Sequence, residues 1–234
     1  MVMVASALAL AACGEEQTRE AEAAGKASGN AAARTDGAQP IAGPEIRILA
    51  LGDSLFAGYG LQQGEGYPER LEVALRARGI NARVSNAGVS GDTTAAGLQR
   101  LGFVLRNEQE VPNLALVELG ANDMLRGIPP EQTRANLAAI LTQLEERGIP
   151  VVLMGMQAPP NLGSGYVGQF DAIYRELAEE HDAALVPFLI ESVWSRPELI
   201  QQDRLHPTAQ GIDALVAATI DGVTEALPET VEQE

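Results

Sequence analysis

Ile46-Arg47-Ile48-Leu49-Ala50-Leu51-Gly52-Asp53-Ser54-Leu55 is the stretch that decides the fold. Its first six residues form a short, mostly apolar run closed by a glycine, which predicts a strand buried on both faces. Downstream, Pro68 stands where a helix can start, Glu69 to Arg78 continues it and Gly79 stops it. Ala82 to Ser85 predicts a second strand. Thr93 to Arg106 predicts a helix that carries Gly97 and Gly102, and Leu114 to Leu119 a third strand. Pro130 opens a helix in which Leu137, Ile140, Leu141 and Leu144 make one apolar stripe, with Gly148 as its stop. A fourth strand at Val151 to Met154, a helix at Gln169 to His181, a short fifth strand at Ala184 to Val186 and a last helix from Pro207 to about Ala226 complete the order. Strands alternating with helices predict an α/β fold: a parallel sheet covered on both faces, with ligands bound outside the carboxyl ends of its strands.

Upstream of this domain, residues 14–44 are rich in Ala, Gly, Glu and polar residues, with Ile41 the one sizeable apolar side chain. Such a segment buries too little to offset its ordering entropy and reads as a flexible tether. Residues 1–13 are a short apolar run ending in Leu10-Ala11-Ala12-Cys13. The pattern resembles a bacterial lipoprotein signal, in which Cys13 is lipidated and anchors the chain to a membrane of the cell envelope. No Lys or Arg precedes the run, and it is short for a signal peptide; a start codon placed too far downstream explains both. The alternative is an ordinary secretory signal with Cys13 incidental. The run is also too short to span a bilayer. The domain is expected over 45–228, with an acidic tail at 229–234. No internal repeat and no membrane-spanning helix is evident.

The chain has 234 residues, 46% of them hydrophobic, and a formal charge of −16. That suits one domain plus a tail, and so acidic a surface argues against a nucleic-acid partner. Cys13 is the single cysteine, so no intrachain disulfide forms.

Three polar clusters each follow a predicted strand: Gly52-Asp53-Ser54-Leu55, Asn86-Ala87-Gly88-Val89-Ser90-Gly91-Asp92-Thr93 and Gly120-Ala121-Asn122-Asp123. A fourth, Asp203-Arg204-Leu205-His206-Pro207, precedes the last helix. In a doubly wound sheet the first three converge on one edge. A serine hydroxyl needs a base within hydrogen-bond reach to become a nucleophile. Of the two histidines, His181 ends an acidic helix and reads as a solvated cap. His206 has a carboxylate three residues upstream, which can fix its tautomer and leave Nε2 for the serine proton. Donors to a developing oxyanion are available from the N–H of Ser54, the N–H of Gly91 and the amide of Asn122. A serine after a strand is by itself more often a helix N-cap; the joint occurrence of the four clusters points to chemistry.

These four blocks resemble those of the GDSL (SGNH) hydrolases, over about Arg47 to Ala226. Leu51 to Gly60, Ser90-Gly91-Asp92-Thr93-Thr94, Val117 to Asp123, Leu125-Arg126-Gly127, Tyr174 and Pro187-Phe188 resemble the thioesterase I, arylesterase and lysophospholipase I branch. The resemblance implies a flavodoxin-like three-layer α/β/α sandwich around a five-stranded parallel sheet. It also implies a Ser54–His206–Asp203 triad with Ser54, Gly91 and Asn122 as the oxyanion hole. It further implies a monomeric periplasmic enzyme without metal or cofactor, acting on small-molecule acyl esters and thioesters. The Gly-x-Ser-x-Gly elbow of the α/β-hydrolases is absent around Ser54. Asp53, Glu118 and Asp123 are expected to hold the framework, Met154 to pack in the core, and Met156, Leu162 and Tyr166 to line an acyl groove beside a mobile Asn161–Gly165 loop. Trp194 is expected to pack on the surface. A carbohydrate O-deacetylase of the same family and a non-catalytic acyl-binding lipoprotein are the alternatives.

Overall fold

The computed structural model describes residues 41–228. The expected signal segment with Cys13, residues 14–40 of the expected tether and the tail 229–234 lie outside the described residues. Five strands, β1 (Ile46–Gly52), β2 (Ala82–Gly88), β3 (Leu114–Glu118), β4 (Val151–Met154) and β5 (Ala184–Val186), form one sheet in the order β2-β1-β3-β4-β5. Every pairing is parallel. The order reverses direction at β1, and the two connections leaving β1 and β3 open a crevice at the carboxyl edge, where such folds bind ligands.

Two helical layers cover the sheet. α2 (Tyr67–Ala77), α7 (Glu191–Trp194) and α8 (Ala209–Glu225) pack on one face, and α3 (Thr94–Asn107), α5 (Pro130–Glu145) and α6 (Ser164–Glu180) on the other. The strand period of two makes this division: Ile46, Ile48 and Ala50 point to the first layer, Leu49 and Leu51 to the second. On α8 the buried Ile212, Leu215, Val216, Thr219, Ile220 and Val223 recur at three and four residues, the stripe of a helix lying on a core. Deep between α2 and α8, the Tyr67 hydroxyl and Thr219 Oγ1 are 2.6 Å apart. Leaving either buried group unpaired costs about 1–3 kcal/mol, so this contact fixes how α8 sits.

Three expectations change. Asn86, Ala87 and Gly88 lie within β2 rather than after it, because β2 is an edge strand whose polar residues keep partial contact with water. The Asn161–Gly165 stretch is not a loop: a 3₁₀ turn at Pro160–Leu162 leads through Gly163 directly into α6. The last helix starts at Ala209, with Thr208 Oγ1 accepting from the N–H of Gly211 as its cap. Pro207 instead bridges Ile200. Two one-turn helices at the carboxyl edge, α1 (Ser54–Ala57) and α4 (Ala121–Leu125), are too short to show any period.

Candidate active site

β1 ends at Gly52, and the chain turns at once into α1. Asp53 caps that helix, its Oδ1 accepting from the N–H of Leu55 at 3.3 Å, so Ser54 is the first helical residue rather than the cap. A Cβ on Gly52 would lie 2.6 Å from Phe56 Cδ2, and one on Gly88 only 2.3 Å from the backbone nitrogen of Ala57. Glycine at both positions lets α1 press against β1 and β2, which fixes where the Ser54 side chain emerges.

The Asp203–His206 loop arrives from the far end of the sequence. Asp203 Oδ1 accepts from the N–H groups of Leu205 and His206 at 2.9 and 3.0 Å, a tight turn that puts Arg204 at φ +60°. Asp203 Oδ2 stands 2.7 Å from His206 Nδ1. The hydrogen bond from His206 is the largest cause that lowers the Asp203 carboxyl to about 2. An ionised acceptor there requires a proton on Nδ1, so Nε2 is the free acceptor. It lies 2.8 Å from Ser54 Oγ, against 3.3 Å from Oγ to Asp53 Oδ1. The shorter contact directs the serine proton to the imidazole, the arrangement that makes an alcohol nucleophilic.

Beside them, α4 carries Asn122 at the end of β3. Its Nδ2 donates to Asp53 Oδ2 at 2.9 Å, leaving the second amide N–H uncommitted by that bond. Gly120, at φ +127°, precedes it, and a Cβ there would fall 2.2 Å from the Tyr174 hydroxyl, which donates to Leu119 O at 3.0 Å. Glu118 and Asp123 take the framework positions expected of them. Glu118 Oε2 accepts from the N–H of Asp53 at 3.0 Å. Burial, reinforced by the Asp53 carboxyl, pushes Glu118 well above the ordinary carboxylate range, and burial raises Asp53 as well. Asp123 accepts from the N–H of Thr94 at 2.8 Å and from the hydroxyls of Thr94 and Thr133, tying α3 and α5 to α4. Gly91, at φ +87°, borders the same space, and its carbonyl accepts from Arg126 Nη2 at 2.7 Å.

Ser54, Gly91, Asn122 and His206 all line one cavity of about 630 Å³. Its apolar wall includes Met124, Leu125, Met156, Phe188, Trp194 and Leu205. Of the expected groove residues, Met156 is there and Leu162 and Tyr166 are not. The 3₁₀ turn carries Leu162 outward, 40% exposed, and Tyr166 stacks on Phe170 and donates to Ile128 O at 3.1 Å. Trp194, expected to pack on the surface, is half exposed and also lines the cavity. Met154 is fully buried, as expected. His181 caps α6, its Nδ1 3.2 Å from Glu145 Oε2, at the opposite end of the sheet. Among the described residues no cluster of His, Cys, Asp or Glu is placed to hold a metal ion.

A family model described as the GDSL-like lipase/acylhydrolase family matches residues 50–214, from the end of β1 into the first turns of α8. The chain belongs to that family. Among curated proteins, this GDSL-like chain is 43% identical to an arylesterase of Vibrio mimicus over 69% of its own length and 80% of the relative's. It is 41% identical to thioesterase 1/protease 1/lysophospholipase L1 of Escherichia coli K12, over 68% of its own length and 74% of the relative's. Among solved structures it resembles AlinE4, an SGNH-hydrolase family esterase, at 60% identity and a TM-score of 0.68, covering 80% of this chain and 99% of that one. Within the GDSL-like framework, sequence reasoning missed Tyr59, Leu125, Phe188 and Leu205 on the cavity wall. Phe188 was discoverable: Phe188-Leu189-Ile190 is an apolar run leaving the fifth strand at its carboxyl end, where ligands bind. Tyr59 and Leu125 lie in stretches that the family resemblance marked without assigning them to the wall, and Leu205 carries no such signal.

Proposed function

We propose that the chain is a serine esterase and acyl thioesterase working through an acyl-enzyme on Ser54. Ser54 Oγ attacks the acyl carbonyl as His206 Nε2 takes its proton, and Asp203 holds the imidazole and faces the imidazolium that forms. The N–H of Ser54, the N–H of Gly91 and the Asn122 amide serve the oxyanion. The imidazolium then returns the proton to the departing alcohol or thiol, and water activated by the same imidazole releases the acid. The observation that carries this reading is the 2.8 Å contact of Ser54 Oγ with His206 Nε2, on an imidazole whose Nδ1 is 2.7 Å from Asp203 Oδ2, at the wall of an apolar cavity.

That cavity favours an acyl chain of several carbons over the acetyl group of a carbohydrate deacetylase, since each buried methylene contributes about 0.8 kcal/mol. Hydrolysis of p-nitrophenyl esters from acetate to decanoate tests it. We expect kcat/KM to rise with chain length before levelling off; activity confined to acetate overturns the acyl-groove reading. A fluorophosphonate probe should label the wild type and not Ser54→Ala; equal labelling removes Ser54 as nucleophile and revives a binding-only role.

The sequence of residues 1–13 supports a location in the bacterial cell envelope, on its periplasmic side, with Cys13 lipidated. Cys13→Ala should then move the activity from the membrane fraction to the soluble fraction. Unchanged partition overturns the anchor.

A further inference from the structure

Tyr59 follows α1 and is 52% exposed, yet it is firmly placed. Its ring centroid lies 4.5 Å from that of His206, with the planes 35° apart. Ser54 and Asp203 meet the imidazole through its nitrogens, in the ring plane, so the tyrosine covers a face that neither of them uses. Burial does not hold an exposed ring there; Gln201 fixes the backbone from which the ring projects. The Nε2 of Gln201 donates to Tyr59 O at 2.8 Å and to Pro207 O at 2.9 Å, and its N–H donates to His206 O at 2.7 Å. One residue thus staples the Tyr59 backbone to both sides of the His206 loop. The chain leaves Tyr59 through Gly60, at φ +73°, where a Cβ would lie 2.3 Å from Gln201 Oε1.

We infer that Tyr59, clasped by Gln201, is a positioning residue that holds the face of the His206 imidazole and stabilises its protonated form. The inference rests on the proposed role of His206 as the base. When the Ser54 proton reaches Nε2, the new positive charge lies against the tyrosine ring, whose negative face attracts it. Charged groups near the imidazole include Asp203 on Nδ1, Asp53 behind Ser54, Glu118 behind Asp53 on the same cavity and the exposed Arg204 on the same loop. Substitution at position 59 leaves these in place, so its effect on His206 is separable from theirs.

The test is an NMR titration of the histidine imidazoles in the full chain, with His181→Gln used to assign the two resonances. Tyr59→Leu keeps an apolar side chain but removes the ring. We expect it to lower the His206 pKa by roughly 0.4–0.7 unit, the span of an exposed cation–π contact. We also expect the plateau kcat/KM on p-nitrophenyl acetate to fall about twofold to fivefold. Tyr59→Phe, which keeps the ring, should leave the His206 titration where it is in the wild type. An unmoved His206 titration in Tyr59→Leu, or an equal shift in Tyr59→Phe, overturns the clasp while Ser54-dependent hydrolysis persists. Equal hydrolysis by wild type and Ser54→Ala instead sinks the assignment of His206 as base, and the clasp's role with it.

Discussion

Asn122 Nδ2 donates to Asp53 Oδ2 at 2.9 Å, joining the helical turn after β3 to the one after β1. The same aspartate caps the helix that begins with Ser54 through its other oxygen. One carboxylate therefore orients the proposed oxyanion donor and the proposed nucleophile together. Its backbone N–H is in turn held by the buried Glu118.

This coupling has a measurable consequence. Asn122→Ala should lower kcat by roughly 10²–10³-fold through the lost donor. Asp53→Ala should lower kcat by a comparable factor, and the double variant should lose little more than the worse single one, because both changes undo one arrangement. Additive losses in the double-mutant cycle would show that the aspartate acts independently of the amide.

Glu118 gives a prediction about stability. Its carboxyl is held well above the ordinary range, chiefly by burial. Ionisation is therefore harder in the folded chain than in the unfolded one, and the native state loses stability as pH rises beyond the unfolded value near 4.5. Glu118→Gln removes the titration. The difference in Tm, variant minus wild type, should grow with pH from about 4.5 upward; a difference that is flat or shrinks contradicts the assignment.

Asp203 works in the opposite sense. With its carboxyl at about 2 when folded, it contributes stability above the unfolded value near 3.8 and loses it as pH falls through 2. The group is solvent-exposed, so the contribution is screened and small. Asp203→Asn should show a shallower decline of Tm between pH 4 and 2 than the wild type, within roughly that window. The acid limb of kcat/KM in the wild type should then follow the imidazole, not this carboxylate.

Gly88→Ala probes the seat of α1. The new Cβ would meet the Ala57 nitrogen at 2.3 Å and the Phe56 carbonyl carbon at 2.6 Å. Both are backbone atoms, so relief requires α1 to move. We expect about 1–3 kcal/mol of destabilisation in denaturant melts, together with a lower kcat. Alanine tolerated with full turnover would mean that the Ser54 turn is not held by this contact.

Much of this site was legible before any coordinates. β1 is an apolar run between polar flanks, and α5 carries a full helical stripe, so both elements announce themselves. Ser54, Asn122, Asp203 and His206 were readable because chemistry demands those residue types and the fold brings carboxyl ends of strands together. Tertiary contacts decided the rest. The end of β2 is small and polar because one of its sides faces water. α1 and α4 are tied to neighbouring turns by bonds of Asp53, Asn122 and Asp123, which no sequence period announces. Leu162 and Tyr166 stand close in sequence to β4, but Pro159 and Pro160 open a 3₁₀ turn that takes them off the wall. Trp194, at the end of α7, and Leu205, on the loop before α8, reach that wall from parts of the chain remote in sequence.

The two ends of the 2.8 Å contact at the heart of the site are 152 residues apart along the chain. During synthesis Ser54 emerges long before His206, and the loop that carries the imidazole is secured only when α8 docks on α2. A nascent or truncated chain therefore holds a serine without a base and is chemically silent. Ester turnover thus becomes a clock for refolding: its onset should coincide with the docking of α8, not with the early appearance of helix.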